Sequence, residues 1–360
     1  MYKCAYENVL VQAGWDGYRA NLEKELLESL NGRFTVLAGQ NQFEESVITR
    51  VARDGGGVTN VYLFRRSLLV QSGVLTKSIL CKNLVLEMNP RILTNWLIII
   101  FRRVLGKNTN LWGHFGGRTG MNPLRNKIRK LLCSFGGGYI IAYTDAEKEI
   151  FIRNWGNQKV LVATNSMYFE KDISATKNAN PRDFIYCGRM SQDKYPDLVL
   201  RSFATAKKHM DVGVKLHMIG DGPLLLRLRK LAQNLQLQDS VIFHGYVSDL
   251  KVLKEIYANS IASISYGFVG LQCVQSLGFG TPIIYPAKPR RFTHAPEAYL
   301  LNGSNSVAFD EKENLLSNVI LEVFQKSIFW SNKSQEISSS IRSRHNIENM
   351  AKTFLQIFEN

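Results

Sequence analysis

Short apolar segments alternate with amphipathic segments along most of the chain. In the second half, apolar runs of four or five residues predict strands over 184–187, 215–219, 241–244, 261–265 and 282–285. Between these runs, apolar residues at helical spacing predict helices over about 196–209, 224–235, 250–259 and 270–277. Strands that alternate with helices of this length indicate a parallel, doubly wound α/β sheet.

The first half shows a similar but looser alternation. Its predicted strands cover 8–12, 34–37, 84–87, 109–114, 139–144 and 159–162. Residues 18–30 place leucines on one side of a predicted helix, and the glycines of 13–17 predict a loop before it. Two such halves predict two Rossmann-like domains with a ligand cleft between them.

Polar stretches set the expected domain limits. Residues 171–182 carry no apolar periodicity, so we interpret them as a linker. We expect an N-terminal domain over 1–170 and a C-terminal domain over 183–340. The last segment, 341–360, contains an amphipathic helix from about 346 to 358, and we expect it to pack back on the N-terminal domain.

Length and composition narrow the class of protein. The 360 residues are long for one core, which also favours two domains. The longest apolar run, 96–101, is far shorter than the roughly 20 residues of a membrane-spanning helix. No signal-peptide pattern follows Met1. The five cysteines are odd in number and widely spaced, which argues against disulfides and zinc and favours a cytoplasmic location.

Positive charge is concentrated in one block. The net charge is +15, and no acidic residue lies between Glu87 and Asp145. Nine basic residues fall in that gap: Arg91, Arg102, Arg103, Lys107, Arg118, Arg125, Lys127, Arg129 and Lys130. The block fits an anionic membrane lipid, a nucleic acid, a phosphorylated substrate or a solvated face without a partner. It lacks a nucleic-acid-binding motif, so no nucleic-acid partner is expected.

Residues 96–104 combine apolar and basic side chains within this block. The composition fits a peripheral anchor on the inner leaflet of a membrane, and it equally fits a core helix with a basic end.

The strand at 184–187 is followed by two cations. Gly188-Arg189 ends the strand, and Lys194 comes five residues later. Guanidinium binds phosphate oxygens through two parallel hydrogen bonds, and lysine adds a point charge. Ligands bind at the carboxyl ends of strands in open parallel sheets, so this pair suits a diphosphate. Two surface cations on a loop are the alternative.

Two glycine turns follow later strands. Gly222 lies in the turn 220–223, and Gly270 with Leu271 lies where the strand ending near Ser265 passes into a helix. Unpaired amides at a helix start bind anions, and glycine lets the backbone approach a phosphate closely. Ordinary turn geometry is the alternative at both places.

The order of these motifs resembles glycosyltransferase family 4, whose members have the GT-B fold. The motifs are Gly188-Arg189 with Lys194, residues 220–223, residues 243–246 and residues 269–282. The resemblance covers most of 183–300. In the first half, short segments at 18–19, 111–114 and 143–145 resemble a bacterial surface-polysaccharide subgroup.

This resemblance implies a retaining, metal-independent transferase that uses a nucleotide-sugar donor and no cofactor. It also implies that Arg189 and Lys194 hold the diphosphate, assisted by the amides near Gly270 and Leu271.

One departure from the family concerns the donor sugar. Most members carry two glutamates separated by seven residues, and the aligned positions here are Gly267 and Gln275. Gln275 retains hydrogen bonding to ribose hydroxyls, whereas Gly267 has no side chain. Another group holds the sugar, or donor choice differs, or the enzyme is impaired. Glu297 is a candidate substitute and equally a surface carboxylate; His294, in the same loop, is favoured as a residue without a phosphate contact.

Candidate residues in the first half lie near its glycines. His114 ends the predicted strand 109–114, and the glycines on both sides leave its imidazole room to hydrogen-bond a donor phosphate or an acceptor hydroxyl, or to act as a base. A buried structural histidine is the alternative. Gly14, Tyr18 and Arg19 are assigned to the acceptor side.

The sequence therefore predicts transfer of a sugar from a nucleotide-sugar to a glycan or lipid-linked acceptor. Cell-surface polysaccharide or lipopolysaccharide assembly, as O-antigen or capsule, is the expected setting. A non-catalytic nucleotide-sugar-binding or scaffolding protein is the alternative, because both glutamates are missing.

Overall fold

The computed structural model describes residues 7–43, 49–50, 57–116, 122–156, 159–175, 177–178, 180–290, 292–310 and 315–359. Arg118 and Cys4 lie outside the described residues. The chain divides into two compact units, one formed by residues 1–169 with 346–360 and the other by residues 170–345.

The first unit is built on a mainly parallel sheet. Its strands are β1 Asn8–Asp16, β2 Phe34–Gly39, β3 Thr49–Arg50, β4 Thr59–Leu63, β5 Leu68–Ser72, β6 Asn83–Glu87, β7 Thr109–Trp112, β8 Gly137–Ala142 and β9 Val160–Val162. Its helices before the second unit are α1 Ala20–Ser29, α2 Leu75–Leu80, α3 Leu93–Val104, α4 Pro123–Gly136 and α5 Asp145–Trp155. The sheet order is β2-β1-β6-β7-β8-β9, β3 pairs antiparallel with the end of β1, and β4 and β5 form a separate hairpin.

The second unit contains a fully parallel sheet of six strands in the order β12-β11-β10-β13-β14-β15. The strands are β10 Asp183–Cys187, β11 Leu216–Ile219, β12 Val241–Gly245, β13 Ser260–Ile264, β14 Ile283–Pro286 and β15 Ser306–Phe309. The helices are α6 Pro196–Lys207, α7 Leu225–Asn234, α8 Leu250–Ala258, α9 Gln272–Gly278, α10 Leu316–Gln325, α11 Ser327–Asn332 and α12 Ser334–Arg342. This strand order is that of the Rossmann fold.

The last helix, α13 Ile347–Phe358, packs on the first unit as predicted. Phe354 meets Trp112 edge to face, with ring centroids 5.0 Å apart, and Phe358 lies 5.5 Å from Phe34. Asn83 also donates a 2.9 Å hydrogen bond to Phe358 O. Apolar burial and this bond together fix the chain end on the sheet.

Successive residues of the first sheet serve two cores. Leu10 belongs to the core beneath α1 and α13, while Val9 and Val11 belong to the core on the other face. Strand side chains alternate between faces, so a strand covered by helices on both sides is continuously apolar. The prediction of two Rossmann-like α/β domains is confirmed.

The predicted loop at 13–17 is wrong for most of its length. Strand β1 continues to Asp16, and Gly14 pairs with Gly39 of β2 across a register shift. Ala13 N donates to Glu87 Oε2 at 2.8 Å, which anchors this extension to β6. Sheet pairing thus overrides the local turn preference of the glycines.

The polar segment 171–182 belongs to the second unit. Ile173 and Ala175 are buried there, and Lys177 Nζ donates to Tyr257 O, Ser260 O and Thr281 Oγ1. Burial lowers the pKa of Lys177 to about 7. These contacts hold the segment on the second unit, although its sequence shows no apolar periodicity.

The basic block divides between interior and surface. Arg102 is 1% exposed, and its guanidinium donates to a ring of carbonyls that includes Ser78 O, Cys81 O and Asn108 O. It therefore stabilises the ends of neighbouring segments and adds no surface charge. No helix among the described residues is long and apolar enough to cross a membrane.

Candidate functional site

The second unit brings three loops together at the carboxyl edge of its sheet. Gly188 N donates to Ile219 O at 2.9 Å, and Gly220 N donates to Gly245 O at 2.7 Å. Gly220 has φ +128°, and a Cβ there would collide with Gly188 O. A Cβ at Gly222 would lie 2.6 Å from Met190 O. The loops after β10 and β11 therefore touch because Gly220 and Gly222 lack side chains, and the second of these loops is bonded to the end of β12.

The two cations follow the strand at which the sheet reverses direction. The chain proceeds from β10 outward to β11 and β12, and then crosses to β13 on the opposite side of β10. Ligands bind at such a switch point in open α/β sheets. Arg189 follows β10 and is half-exposed, and Tyr186 Oη donates to its carbonyl at 2.7 Å.

Lys194 connects this loop with the one after β13. It ends the 3₁₀ turn Gln192–Lys194, and its Nζ donates to Phe268 O at 2.9 Å while lying 3.3 Å from the Phe268 ring centroid. Burial opposes ionisation of neighbouring Asp193, but the hydrogen bond from Ser191 and the charges of Arg189 and Lys194 outweigh it and lower the pKa of Asp193. Arg189 and Lys194 therefore lie at this edge of the sheet together with the ionised carboxylate of Asp193, which lies between them in the sequence.

Position 267, where the family resemblance predicts a glutamate, has no space for a side chain. A Cβ on Gly267 would lie 2.7 Å from Asp193 O and 2.9 Å from Lys194 Cα. Real Cβ atoms essentially never approach backbone atoms so closely. Glycine at 267 is therefore what permits the loop after β13 to rest on the turn that carries Lys194.

The start of α9 lies beside this contact. Gly270 has open surroundings, since a Cβ there would have its nearest neighbours 3.9 Å away, and Leu271 is the residue before the helix. Val269 N donates to His294 Nδ1 at 2.9 Å, and His294 Nε2 bonds to Pro286 O at 2.8 Å. These partners assign the proton to Nε2 of a neutral imidazole. His294 thus braces the loop as a hydrogen-bond acceptor.

Gln275 and Glu297 both lie beneath the surface. Gln275 Nε2 donates to Cys187 Sγ and Tyr257 Oη, each at 3.2 Å. Glu297 is 1% exposed, in the 3₁₀ turn Pro296–Leu300 that packs on α9. Burial, and then the charge of Glu297, raises the pKa of Cys273 well above its ordinary value. The Cys273 thiol also donates to the backbone carbonyl of Glu297 at 3.5 Å, so the turn that carries Glu297 is bonded to α9.

The sequence reasoning missed a third cation at this edge. Arg290 follows β14, and its guanidinium carbon lies 5.5 Å from the Tyr195 ring and 5.3 Å from the Tyr266 ring. Tyr195 adjoins Lys194, and Tyr266 adjoins Gly267. In the sequence, the basic residues directly after the predicted strand 282–285 were the signal for a further cation at this edge of the sheet.

The first unit has its own polar cluster at the carboxyl ends of β7 and β8. His114 Nδ1 lies 3.2 Å from Glu147 Oε1, with the histidine side chain 41% exposed and the glutamate 8% exposed. The imidazole also stacks on Tyr143 at 4.2 Å between ring centroids. Glu147 further accepts from Phe115 N at 3.1 Å and from Tyr143 N at 3.2 Å. A fixed carboxylate therefore orients the ring and leaves Nε2 available for a substrate.

Sequence reasoning missed Glu147 as well. Thr144 caps α5 by accepting from Glu147 N at 3.1 Å, which is the pattern of a threonine followed three residues later by glutamate. That capping signal predicts the helix start, but only the tertiary structure brings this carboxylate to His114.

The acceptor-side residues take three different environments. Arg19 is buried, lies 4.2 Å over the Trp112 ring and donates to Tyr143 Oη at 3.2 Å. Tyr18 is half-buried in the 3₁₀ turn Gly17–Arg19, whereas Gly14 is within β1. Arg19 therefore joins the cluster of His114 through Tyr143, and Gly14 lies in the sheet.

Metal binding finds no support in side-chain clustering. Within the described ranges, no group of three or more His, Cys, Asp or Glu residues has the arrangement to hold a metal ion.

We expect Gly267→Ala to destabilise the second unit by about 1–3 kcal/mol, because its methyl group overlaps the backbone of Asp193 and Lys194. Gly267→Glu is expected to do at least as much harm, because its side chain is larger. Gly303→Ala is the control, since nothing lies within 4 Å of its Cβ position. Urea unfolding measures the stability of all three variants. An unchanged unfolding midpoint for Gly267→Ala would contradict the predicted overlap of its methyl group with the backbone of Asp193 and Lys194.

We also expect acid to weaken the hydrogen bond that His294 Nδ1 accepts from Val269 N. Burial lowers the pKa of His294 from its ordinary value of 6.5, and Lys194 adds to this against the opposing bond to Pro286 O. Because the pKa of His294 is lower in the folded than in the unfolded protein, the stability that neutral His294 contributes is complete above about pH 6.5. This stability is lost as the pH falls through the folded-state pKa. His294→Gln keeps an acceptor and a donor without titrating, so its Tm relative to the unmodified protein should rise below pH 6. A Tm difference that is constant from pH 5 to 8 would contradict this, and His209→Gln, an exposed histidine, is the control.

Comparison with known proteins identifies relatives of the second unit. Residues 168–292 match the family model described as glycosyl transferases group 1. Alpha-monoglucosyldiacylglycerol synthase of Streptococcus pneumoniae is 39% identical over 103 residues, which cover 28% of this chain and 23% of that enzyme. The chain thus aligns with less than a quarter of the length of this curated relative.

Solved structures establish the fold of the whole chain. HepE of Anabaena, in complex with UDP, matches with a TM-score of 0.66 and 12% identity over 98% of this chain and 99% of that one. The lipopolysaccharide outer core galactosyltransferase WaaB, in its apo form, matches with a TM-score of 0.63 and 14% identity over 98% and 99%. The chain therefore has the GT-B fold, and its residues 168–292 are similar to the group 1 glycosyl transferases.

Proposed function

We propose that the protein is a retaining glycosyltransferase that moves a sugar from a nucleotide-sugar to a glycan or lipid-linked acceptor. The observation that carries this proposal is the pair Arg189 and Lys194 at the switch point of a Rossmann sheet, beside loops that glycines allow to touch. The match to glycosyl transferases group 1 and the similarity to a UDP complex support the donor class.

The proposed chemistry requires stabilisation of a leaving group. The bond between the anomeric carbon and the donor phosphate oxygen breaks, and its electron pair leaves with the nucleoside diphosphate. The acceptor hydroxyl oxygen forms the new bond on the same face of the sugar and loses its proton. Fixed cations stabilise the charge that develops on the diphosphate. Arg189 and Lys194 supply this charge, so we propose that the reaction needs no divalent metal and no cofactor.

His114 is the proposed acceptor-side residue. Glu147 and Tyr143 hold its ring, and an oriented imidazole accepts a hydrogen bond or a proton from a hydroxyl. We further propose that Gln275 contacts the ribose through its side-chain oxygen, because its nitrogen already bonds to Cys187 and Tyr257.

Relatives suggest the setting of the reaction. One is named for synthesis of a glycosylated diacylglycerol, and a structural neighbour is named for the lipopolysaccharide outer core. We therefore propose a role in cell-surface polysaccharide or lipopolysaccharide assembly, as O-antigen or capsule, at the cytoplasmic face of the membrane.

A non-catalytic nucleotide-sugar-binding protein is the second candidate. It is favoured by one observation: the turn at Asp193 and Lys194 leaves no space for a side chain at position 267, where the family resemblance predicts a sugar-binding glutamate. Binding of a nucleotide-sugar without transfer to any acceptor, across a broad donor and acceptor panel, would identify this candidate.

We expect Arg189→Ala and Lys194→Ala each to lower kcat/KM by roughly 10²–10³-fold, because each removes charge stabilisation of the leaving group. Nucleoside diphosphate release across a nucleotide-sugar panel measures the effect, with thermal shift reporting donor binding. Lys230→Ala, an exposed lysine on α7, is the control. Full activity of the double variant would refute the assignment, and loss of activity in EDTA would refute metal independence.

We expect His114→Ala to lower transfer by roughly 10²–10⁴-fold while the Tm shift produced by the donor remains, because donor binding is assigned to the other unit. The exposed His209→Ala is the control. Unchanged kcat with a lowered Tm would instead make His114 a structural residue.

A further inference from the structure

The solvent side of α4 carries an apolar stripe. Leu124, Ile128, Leu131 and Phe135 are all exposed, with Leu124 at 67%. Their spacing of three or four residues places them in one line along the helix. The buried side of α4 is provided by other residues, among them Leu132 and Cys133. A surface helix ordinarily exposes polar side chains to water. The solvent-facing side of α4 carries apolar side chains instead.

Helix α3 repeats this arrangement. Leu97, Ile100, Phe101 and Val104 are exposed at helical spacing, with Val104 at 80%, while Ile98 and Ile99 are buried. Single exposed apolar residues are common on proteins, but two matching stripes on neighbouring helices are not.

The two stripes lie on neighbouring helices. Helix α3 connects β6 to β7, and α4 connects β7 to β8, so both crossovers advance in the same direction along the sheet. Right-handed crossovers then put both helices on the same face, and α3 and α4 do pack together. We call these exposed residues of α3 and α4 the α3–α4 apolar surface.

Cations accompany this patch without carboxylates. Arg103, Arg125, Lys127 and Lys130 are exposed on the same two helices. No acidic residue occurs between Glu87 and Asp145, so neither helix offers a negative charge. An apolar stripe flanked by exposed cations matches the interface of a lipid bilayer with anionic headgroups.

We propose that the α3–α4 apolar surface docks on an anionic lipid bilayer. Its apolar stripes enter the boundary between headgroups and acyl chains, while the cations of both helices pair with lipid phosphates. A second copy of the chain fits this surface less well, because a symmetric contact would press two cationic patches together without a carboxylate between them. Docking adds to the proposed transferase a means of holding the enzyme at lipid-linked acceptors.

Co-sedimentation of the full chain with vesicles tests this proposal. We expect binding to vesicles of phosphatidylglycerol and phosphatidylethanolamine, little binding to phosphatidylcholine, and a loss of binding as salt is raised from 50 to about 300 mM. The triple variant Phe101→Gln, Leu131→Gln and Phe135→Gln should bind at least about tenfold more weakly, since it removes apolar insertion. Lys127→Gln with Lys130→Gln should weaken binding and reduce its dependence on salt.

Leu226→Gln with Ile328→Gln is the matched control, because both residues are 76% exposed and lie in the second unit. All substituted positions are exposed, and an unchanged Tm confirms folding. Retained vesicle binding by the triple variant would overturn the proposal. So would an apolar-dependent dimer in light scattering without vesicle binding. Thermal shift with the nucleotide-sugar panel is read in parallel: failed vesicle binding with an intact shift refutes only the membrane surface, and the absence of a shift across the whole panel with intact vesicle binding refutes only the proposed donor site.

Discussion

The contact of backbone on backbone at the carboxyl edge of the second sheet is the constraint on which the candidate donor site depends. Gly220 and Gly222 bring the loop after β11 against the loop that carries Arg189, and Gly267 rests on the turn that carries Lys194. Any side chain at these glycines would separate the loops. The cations are thus positioned by close approach of main chains, and Lys194 completes the arrangement by bonding to Phe268 O.

The same contact leaves no space for a side chain at position 267, where the family resemblance predicts a glutamate. A glutamate there needs space that the turn at Asp193 and Lys194 occupies. At the same edge, the guanidinium carbon of Arg290 lies 5.5 Å from the Tyr195 ring and 5.3 Å from the Tyr266 ring.

The arginines of this protein occupy three kinds of environment, which the surrounding sequence does not distinguish. Arg102 is buried among carbonyl groups, and Arg19 is buried between aromatic rings where it supports the Tyr143 and His114 stack. Exposed Arg103 and Arg125 carry charge on the outer surface. Arg102 is enclosed by its carbonyl partners and cannot pair directly with an anion in solution, whereas the exposed arginines can.

The sequence by itself determined the C-terminal helix and most strands of both parallel sheets, though not β15, because apolar periodicity is local and burial on both faces makes each strand apolar. It also placed Arg189 and Lys194 after a strand whose carboxyl end lies at the switch point. It missed the continuation of β1 through Gly14, the approach of Glu147 to His114, Arg290 between Tyr195 and Tyr266, and the crowding at Gly267. Each of these is a contact between segments distant in the chain, and such contacts are decided by how the elements pack rather than by the residues of either segment alone.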